Sequence, residues 1–333
     1  MSALFLDAIR CKNVGQKTPV WLMRQAGRYM TEYQALRKRY SFMQLIHDPE
    51  LIVSITQLPI TAFGFDAAIV FSDILLLTEL LGCHLWFEET SGPHIEPVIS
   101  GPKDLERILG RTIEAPFLTE AICSLKQALA VPLIGFAGAP FTVASYMIEG
   151  KSSTKLSKTK KWMLEDPESF HRFLDILADY TIELLKLQIR AGVDAVQLFD
   201  TWAEKLGFGQ FMEFSARYLK KIRDAIDEVP VVLFCKGSSA FTSALARIQP
   251  AGISLDWQAD LVETRMRVGP HIALQGNLDP DILLTNPETV RREVLRLVRS
   301  MKSDPGYIFN LGHGILPDTP RENVEALVEC LRS

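Results

Sequence analysis

Three arginines near the start of the chain are the first residues whose spacing suggests chemistry. Arg24 ends a short apolar run, Arg28 comes four residues later, and Arg37 follows nine residues after that. A guanidinium buried without a partner is energetically costly, and its planar fork binds carboxylates in a bidentate manner. The set predicts a site for a ligand with several carboxylates. For Arg37, a solvated helix face around Arg37-Lys38-Arg39 is an equally good interpretation.

Asp73 is the second candidate, because apolar residues flank it on both sides within residues 69–77. A carboxylate in such a segment is expected to be partly buried. Burial raises the pKa of a carboxyl group and nearby arginines lower it, and with Arg24 and Arg28 at the same edge we expect the ionised form of Asp73. The alternative is a structural ion pair between Asp73 and one of these arginines.

Polar residues also follow most of the other short apolar runs in the chain. Any one of them could simply cap a helix or meet water, but several groups at one edge predict a binding site. They are Arg24 to Arg28, Ser72-Asp73, Asp200-Thr201, Lys236, Asp256-Trp257, Gly276 to Asp279 and Gly312-His313-Gly314. A turn of small residues at 135–142, which leads towards Tyr146, allows close backbone approach to a ligand.

Eight apolar runs, rich in Val, Ile, Leu and Phe, are typical of buried parallel strands. The predicted strands are residues 19–24, 67–71, 132–136, 195–199, 230–234, 252–255, 271–275 and 307–310. Amphipathic helices such as residues 167–191 alternate with them, which favours one α/β domain over residues 1–333, a (β/α)8 TIM barrel whose strand ends converge on one mouth. Residues 83–99 predict a β-hairpin inserted after the second strand.

Composition narrows the class of partner. The formal net charge of -4 argues against nucleic acid or an anionic membrane as a partner, and no apolar stretch is long enough to span a membrane. Five scattered cysteines without CxxC spacing, and a start that lacks a signal-peptide pattern, predict a reducing, cytoplasmic location. The basic run between Lys151 and Lys161 is interpreted either as a solvated helix face or as a mobile lid that attracts an anionic substrate.

Taken together, these motifs resemble the uroporphyrinogen decarboxylase family over roughly residues 19–324. The segment from Met23 to Tyr29 is similar to the N-terminal signature of that family, and residues 135–142 with Tyr146 and Glu149-Gly150 are similar to its second signature. The remaining motifs are Phe71 to Leu75, Leu255-Asp256-Trp257, Gln275 to Pro280 and Asn310 to Gly314. Two positions depart from the pattern: Thr201 replaces the usual serine and Thr31 the usual proline.

The resemblance implies an enzyme of haem biosynthesis that removes CO2 from the four acetate side chains of uroporphyrinogen III and gives coproporphyrinogen III. It implies a homodimer with a small-molecule substrate and with no metal or organic cofactor. Substrate binding carries over to the following residues: Arg24, Gln25, Ala26, Gly27, Arg28, Arg37, Asp73, Tyr146, Thr201 and His313.

The chemistry of this reaction assigns roles to a few of these residues. Loss of CO2 from a pyrrole acetate leaves a carbanion unless the ring accepts the electrons, so the adjacent ring carbon must first be protonated. An ionised Asp73 facing the pyrrole N–H groups would stabilise the resulting cation. We therefore expect Asp73 and Arg24 to be catalytic, with Arg24 taking part in proton delivery, and Tyr146 and His313 to donate hydrogen bonds to substrate carboxylates.

Two other functions remain open on the sequence. A zinc-dependent, corrinoid-linked methyltransferase of the same superfamily would need thiolate and imidazole ligands, but the fifth predicted strand ends in Phe234-Cys235-Lys236 without a His-x-Cys pair. A non-catalytic tetrapyrrole-binding protein would tolerate the loss of Asp73. A variant at Asp73 therefore separates an enzyme from a binding protein.

Overall fold

A computed structural model describes residues 4–88 and 90–332 of the chain. Its main sheet has seven parallel strands in the order β1-β4-β5-β6-β7-β8-β9. The strands are β1 (Ala68–Ile69), β2 (His84–Glu88), β3 (Gly92–Glu96), β4 (Leu133–Gly138), β5 (Ala195–Asp200), β6 (Val231–Cys235), β7 (Gly252–Ser254), β8 (Ala273–Leu278) and β9 (Tyr307–Leu311).

Helices follow the strands of the main sheet and pack around them, so the predicted α/β barrel is confirmed. The α-helices are α1 (Leu4–Ile9), α2 (Thr31–Arg39), α3 (Phe42–His47), α4 (Pro49–Phe63), α5 (Leu76–Leu80), α6 (Pro116–Ala128), α7 (Pro140–Glu149), α8 (Ser157–Glu165), α9 (Pro167–Ala191), α10 (Phe208–Phe211), α11 (Arg217–Asp224), α12 (Ser238–Arg247), α13 (Leu261–Val268), α14 (Pro287–Ser300) and α15 (Arg321–Arg332). Short 3-10 helices lie at Pro102–Arg107, Thr201–Lys205 and Pro280–Leu284, and a π-helical turn at Met212–Ala216.

The predicted first strand, residues 19–24, is the main correction. Val20 makes a single parallel bridge to Phe309 of β9, and its carbonyl accepts a hydrogen bond from the backbone N–H of Asp66 at 2.8 Å. This segment therefore lies between the two edge strands and joins them, but it does not form a strand of its own.

Side-chain oxygens explain why the ladder is missing there. The backbone N–H groups of residues 20, 22 and 23 donate to side chains: Val20 to Asp66 Oδ2 at 2.8 Å, Leu22 to Gln25 Oε1 at 3.1 Å, and Met23 to Asn310 Oδ1 at 2.9 Å. A buried backbone N–H needs an acceptor, and these oxygens take the place of a neighbouring strand. The eighth position of the barrel is thus closed by these side-chain oxygens together with a few backbone hydrogen bonds, such as that from the Phe309 N–H to the Pro19 carbonyl at 2.9 Å.

The inside of the barrel is layered along the strands, because side chains two residues apart point the same way. An apolar cluster lies towards the amino-terminal ends of the strands; its members are Trp21, Ala67, Ile134, Ala195, Val232, Ala273 and Ile308, with Phe5, Ala8 and Ile9 of α1. Above it, Gln275 accepts a hydrogen bond from the Trp21 indole at 2.8 Å and donates to Gln197 at 3.1 Å and Ser254 at 2.9 Å. The next inward positions, Phe199 and Phe234, therefore face the mouth.

Two further predictions can be compared directly with the structure. The hairpin expected within residues 83–99 is present as antiparallel β2 and β3, which follow β1 and α5 along the chain. Helix α9 has the predicted bounds, since Asp166 accepts a hydrogen bond from the backbone of Ser169 at its start and Gly192 ends it in a left-handed conformation. In the part of the chain that the structure describes, none of the helices has the length and apolar character needed to cross a membrane.

Because side-chain oxygens help to close the barrel, removing one of these hydrogen-bond acceptors should lower the free energy of unfolding. Asp66 Oδ2 accepts from Val20 and lies 3.0 Å from Arg332 Nη1, so Asp66→Ala leaves a buried N–H unpaired. We expect a loss of about 1–3 kcal/mol in the free energy of unfolding, measured by urea denaturation.

The matched control is Glu106→Ala, which removes an exposed ion pair with Arg172. This control should change the free energy of unfolding by less than about 1 kcal/mol. Equal stabilities for both variants would show that the Asp66 contact does not close the barrel.

Candidate active site

Arg24 lies at the end of the segment of residues 19–24 that closes the barrel, just before the loop to α2, and its backbone conformation is unusual. Its φ is 62°, in the left-handed region that side chains other than glycine rarely adopt. A Cβ placed on Gly314 would lie 2.4 Å from Arg24 Cδ, so the arginine side chain lies directly on the Gly314 backbone. Strain of this kind persists only where the surroundings impose it, and it is concentrated at functional sites.

The three arginines carry charge that the protein does not neutralise. Arg24 and Arg28 are exposed and Arg37 is half-buried, and within residues 4–88 and 90–332 none of them forms an ion pair. Arg37 donates to the Tyr40 carbonyl at 3.1 Å, and its guanidinium lies 5.9 Å from the Phe42 ring centre. The structure thus keeps three guanidinium groups available for an anionic ligand.

These arginines divide into two groups in space. The charge of Arg24 acts on Asp73, Tyr146 and His313: it opposes the rise in pKa that burial causes at Asp73 and Tyr146, and it adds to the fall at His313. The charges of Arg28 and Arg37 act instead on Tyr33 of α2. Arg24 is therefore the arginine at the centre of the predicted site.

Asp73 lies in the turn between β1 and α5, and one of its oxygens is fixed by the chain. Oδ1 accepts a hydrogen bond from the backbone N–H of Leu75 at 2.8 Å. Burial raises the pKa of the Asp73 carboxyl above its usual value, although the Leu75 N–H and the Arg24 charge act in the opposite direction. Of the two arginines expected to act on this carboxyl, only Arg24 does, and no ion pair joins the two among the described residues, so burial prevails in the direction of the pKa shift. That Asp73 is ionised stays a prediction.

Tyr146 and His313 complete the group around Arg24. Tyr146 is buried on α7 with its ring 5.7 Å from that of Trp202, and burial raises the pKa of its phenol. Burial, with the Arg24 and Lys236 charges, lowers the pKa of His313 to about 4. The imidazole is therefore neutral at neutral pH and keeps one N–H donor.

An apolar cluster forms the floor of this site, and the sequence reading did not identify it as functional. Met23, Phe199 and Phe234 are buried together, and the partly buried side chains packed on them are Ile69, Ile74 and Phe136. The Phe199 ring is 5.6 Å from Phe136 and 5.8 Å from Phe234, and the Phe234 ring is 6.0 Å from His313. The signal was present in the sequence as a phenylalanine at an inward-facing position near the end of β4, β5 and β6.

The remaining predicted substrate-binding residues differ in what they can offer. Gln25 is 1% exposed, and its side chain accepts from the Leu22 N–H and donates to the Ala67 carbonyl at 3.2 Å, so it stabilises the loop itself. Ala26 and Gly27 are partly exposed and can present only their backbone. Thr201 is partly exposed at the end of β5, on the inward side that Phe199 occupies two residues earlier.

The basic segment between Lys151 and Lys161 contacts the rest of the protein near its start and near its end. Lys151 bridges to His94 of the hairpin, and Ser152 hydrogen-bonds to the Tyr146 side chain. Further on, the buried Thr159 donates to Glu149 Oε1 through both its N–H and its hydroxyl at 3.0 Å. The segment is thus attached to the hairpin and to α7, while Lys151, Lys155, Lys158 and Lys161 are exposed.

Two buried acids at the strand ends have structural partners. Asp200 accepts from the Thr142 and Ser215 hydroxyls, both at 2.5 Å, and Asp256 accepts from the first N–H of α12, on Ser238, at 3.0 Å. Cys235 is buried between them, and burial raises the pKa of its thiol well above the usual value. A thiol held in this form is a poor metal ligand, and the residues described here contain no group of His, Cys, Asp and Glu arranged to bind a metal ion.

Comparisons with solved structures show the fold. A methyltransferase from Methanosarcina mazei superposes with a TM-score of 0.83 over 99% of this chain and 97% of its own, at 22% identity. A B12-independent methionine synthase from Shewanella sp. W3-18-1 superposes with a TM-score of 0.60 at 11% identity, covering 87% of this chain and 89% of its own. At such low sequence identities, the superpositions show similarity of fold alone.

Comparisons of sequence are more specific. The uroporphyrinogen decarboxylase of Protochlamydia amoebophila is 48% identical over 98% of this chain and 90% of its own length, and that of Cellvibrio japonicus is 41% identical over 94% and 91%. The family model described as uroporphyrinogen decarboxylase (URO-D) matches residues 2–333. Since the match extends over the whole barrel and the group around Arg24, this chain belongs to the uroporphyrinogen decarboxylase family.

Proposed function

We propose that this protein is a carboxy-lyase that converts uroporphyrinogen III to coproporphyrinogen III by removing CO2 from its four acetate side chains. The observation that carries the proposal is a mouth at which, among the residues that the structure describes, three arginines have no ion-pair partner and Asp73 is partly shielded from water. A substrate with carboxylates at its edge and N–H donors at its centre satisfies both features. Membership of the decarboxylase family supports the same reaction.

The role of Asp73 follows from its burial. A carboxylate that has lost part of its water is less stable than in solution, so it gains from new donors and from a nearby positive charge. The pyrrole N–H groups supply the donors, and protonation of a ring carbon creates the cation. Because the carboxylate is already fixed by Leu75, it stabilises this cation without reorganising.

The groups around Asp73 orient the reacting acetate. Arg24 binds the carboxylate through its guanidinium and takes part in proton delivery. Tyr146 and the neutral His313 donate hydrogen bonds to further carboxylates, and Thr201 adds a hydroxyl. The backbone of Ala26 and Gly27 contributes N–H groups beside Arg24. Arg28 and Arg37 bind carboxylates at the outer edge of the mouth.

The apolar floor binds the face of the macrocycle. Phe199 and Phe234, with Met23, present carbon surface to the pyrrole rings, while the charged groups surround it. Water excluded from this surface strengthens the attraction between Asp73 and the developing cation, because electrostatic forces increase as the local dielectric constant falls. The floor and the carboxylate therefore act together.

Five finer statements belong to the same proposal. The ring accepts the electrons left by CO2, so the reaction needs neither metal nor organic cofactor. Residues 1–333 form a single domain, and the active species is a homodimer, as the family resemblance implies. The negative formal charge of -4 supports a protein without a nucleic-acid or membrane partner, and the scattered cysteines support a cytoplasmic location.

The direct test is an anaerobic incubation of the purified protein with uroporphyrinogen III in buffer without added metal. Products are oxidised and separated by the number of carboxylates. We expect the hepta-, hexa- and pentacarboxylate intermediates, followed by coproporphyrin from coproporphyrinogen. Recovery of unchanged octacarboxylate would refute the proposed activity.

The first prediction concerns the charge of Asp73. Asp73→Asn keeps the shape but removes the charge that opposes the pyrrole cation, so we expect kcat to fall by ~100-fold or more, with a smaller change in binding. Asp73→Glu keeps the charge but moves it by one methylene, so it should retain partial activity. Both variants are checked for folding by thermal melting. Near wild-type kcat in a folded Asn variant would favour a binding protein over an enzyme.

The second prediction uses the contact between Gly314 and Arg24. A methyl group at position 314 would lie 2.4 Å from Arg24 Cδ and would displace the guanidinium. We expect Gly314→Ala to lower kcat/KM by roughly 10- to 100-fold, since small misplacements of positioning groups are this costly. The control, Gly209→Ala, adds a methyl group on α10 where nothing lies within 4 Å. If both variants keep full activity, the position of Arg24 does not matter.

The third prediction concerns His313 and the pH dependence of stability. Its pKa is about 4 in the folded protein and about 6.5 when unfolded, so between these values the unfolded chain binds a proton that the folded chain does not. His313 therefore lowers stability as the pH falls from about 6.5 towards 4. Urea unfolding of the wild type and of His313→Gln across this pH range should show that the free energy of unfolding falls less in the variant. Parallel curves would mean that His313 titrates normally.

A further inference from the structure

A second cationic cluster lies at the mouth, on the strands opposite Arg24. Glu204 Oε1 lies 3.1 Å from Lys236 Nζ and 3.0 Å from Lys205 Nζ. All three side chains are partly buried, with 21% of Glu204, 29% of Lys205 and 33% of Lys236 exposed. One carboxylate thus faces two ammonium groups, which leaves a net charge of +1 in the cluster. None of the three residues has a role in the reaction described above.

The direction of β6 places Lys236 towards the interior of the mouth. Val232 belongs to the lower apolar cluster inside the barrel, and Phe234, two residues later, belongs to the floor of the site. Lys236 continues the same alternation just past the end of the strand. Its backbone N–H donates to the Asp200 carbonyl at 3.4 Å, so the inward direction is maintained.

The surroundings of His313 place Lys236 near the catalytic group. The Phe234 ring is 6.0 Å from His313, and the charges of Arg24, Lys236 and Glu204 all act on this histidine. The Arg24 guanidinium and the Lys236 ammonium are therefore both close enough to His313 to act on its charge. An anion bound beside His313 would be attracted by both.

The backbone of Gly237, which has no side chain, leaves room for Glu204 to lie beside Lys236. Gly237 has a φ of 73°, and a Cβ placed on it would lie 3.2 Å from Glu204 Cβ. The 3-10 helix that carries Glu204 begins directly after β5, so Glu204 packs against the turn that follows Lys236. Burial opposes the charge of Glu204, but hydrogen bonds from Lys205 and Lys236 prevail and lower the pKa of its carboxyl.

We propose that Lys236 is a binding residue for a peripheral carboxylate of the substrate, and that Glu204 occupies this place in the free protein. The inference rests on the proposed function, since it concerns how the same mouth binds a multiply carboxylated ligand. On binding, a substrate carboxylate replaces Glu204 at Lys236, while Lys205 retains Glu204. The internal carboxylate thus keeps the lysine oriented and weakens binding of ligands that cannot compete for it.

If a substrate carboxylate replaces Glu204 at Lys236, removing the charge of Lys236 should weaken ligand binding, and removing the charge of Glu204 should strengthen it. Lys236→Met removes the attraction but keeps the apolar stem, so binding should weaken by about tenfold, the usual effect of one charge-assisted contact. Glu204→Gln removes the competitor and leaves both lysines free, so binding should tighten by a few-fold, roughly the effect of one partly exposed ion pair. Lys205→Gln is the matched control, because it also loses a Glu204 partner but leaves Lys236 intact; we expect a change below about threefold.

The probe is uroporphyrin, the oxidised octacarboxylate, whose binding is measured by fluorescence quenching without any turnover. Dissociation constants are determined at low and high ionic strength, with thermal melting as the check of folding. Weaker binding by Lys236→Met together with tighter binding by Glu204→Gln supports the inference. Equal weakening by all three variants would identify a structural ion-pair cluster and overturn it, as would an unchanged Kd for Lys236→Met.

A titration separates this inference from the proposed activity. The pKa of His313, followed by NMR in the free protein, should rise in Lys236→Met, where a cation is lost, and fall in Glu204→Gln, where an anion is lost. An unchanged His313 in both variants would place the cluster outside the mouth and contradict the inference. A wild type that binds uroporphyrin but does not decarboxylate uroporphyrinogen would refute the activity alone, because the binding constants still decide the role of Lys236.

Discussion

The separation between Asp73 and Arg24 is the constraint on which the rest of the site depends. Two opposite charges at one barrel mouth could form an ion pair, and that pair would leave little attraction for a ligand. Here Asp73 Oδ1 is fixed by the Leu75 N–H, while Arg24 is fixed by its left-handed backbone and by its contact with Gly314. The two charges act on each other without contact, so both remain available to a substrate.

The barrel maintains this separation because its strand ends are rigid. Interior side chains alternate from an apolar base, through the Gln197, Ser254 and Gln275 network, to the aromatic floor at Phe199 and Phe234. Each layer fixes the direction of the next position along its strand. The loop that carries Arg24 emerges where polar side chains close the barrel, so the same contacts that complete the fold also orient the arginine.

Part of this arrangement could be predicted from the sequence, and the reason is geometric. Parallel strands in one barrel end at one mouth, so Arg24, Asp73 and His313 could be placed together from their positions after apolar runs. The hairpin and α9 followed from alternation and from helix-capping residues. Arg37 could be assigned to α2, but its partial burial against Tyr40 and Phe42 depended on contacts outside the motif.

Three other features could not be predicted, because they depend on contacts between residues that are far apart in the sequence. Asp66 accepts from Val20 across 46 positions, so the missing first strand could not be deduced from the apolar run at residues 19–24. Burial outweighs the arginine charge at Asp73 because only Arg24 is near, which requires three-dimensional distances. Phe199 and Phe234 looked like ordinary strand residues, since the same residue types fill the core and the floor of the site.

In the proposed mechanism, Asp73 is a partly desolvated carboxylate whose lost hydration is replaced by the pyrrole N–H groups of the substrate. Its pKa can be measured by 13C NMR on carboxyl-labelled protein, with the resonance assigned from the Asp73→Asn variant. We expect a pKa above the usual aspartate value in the free protein, and a fall in that pKa when coproporphyrinogen is bound under anaerobic conditions. A pKa at or below the usual value in the free protein, or one that the bound porphyrinogen does not change, would contradict it.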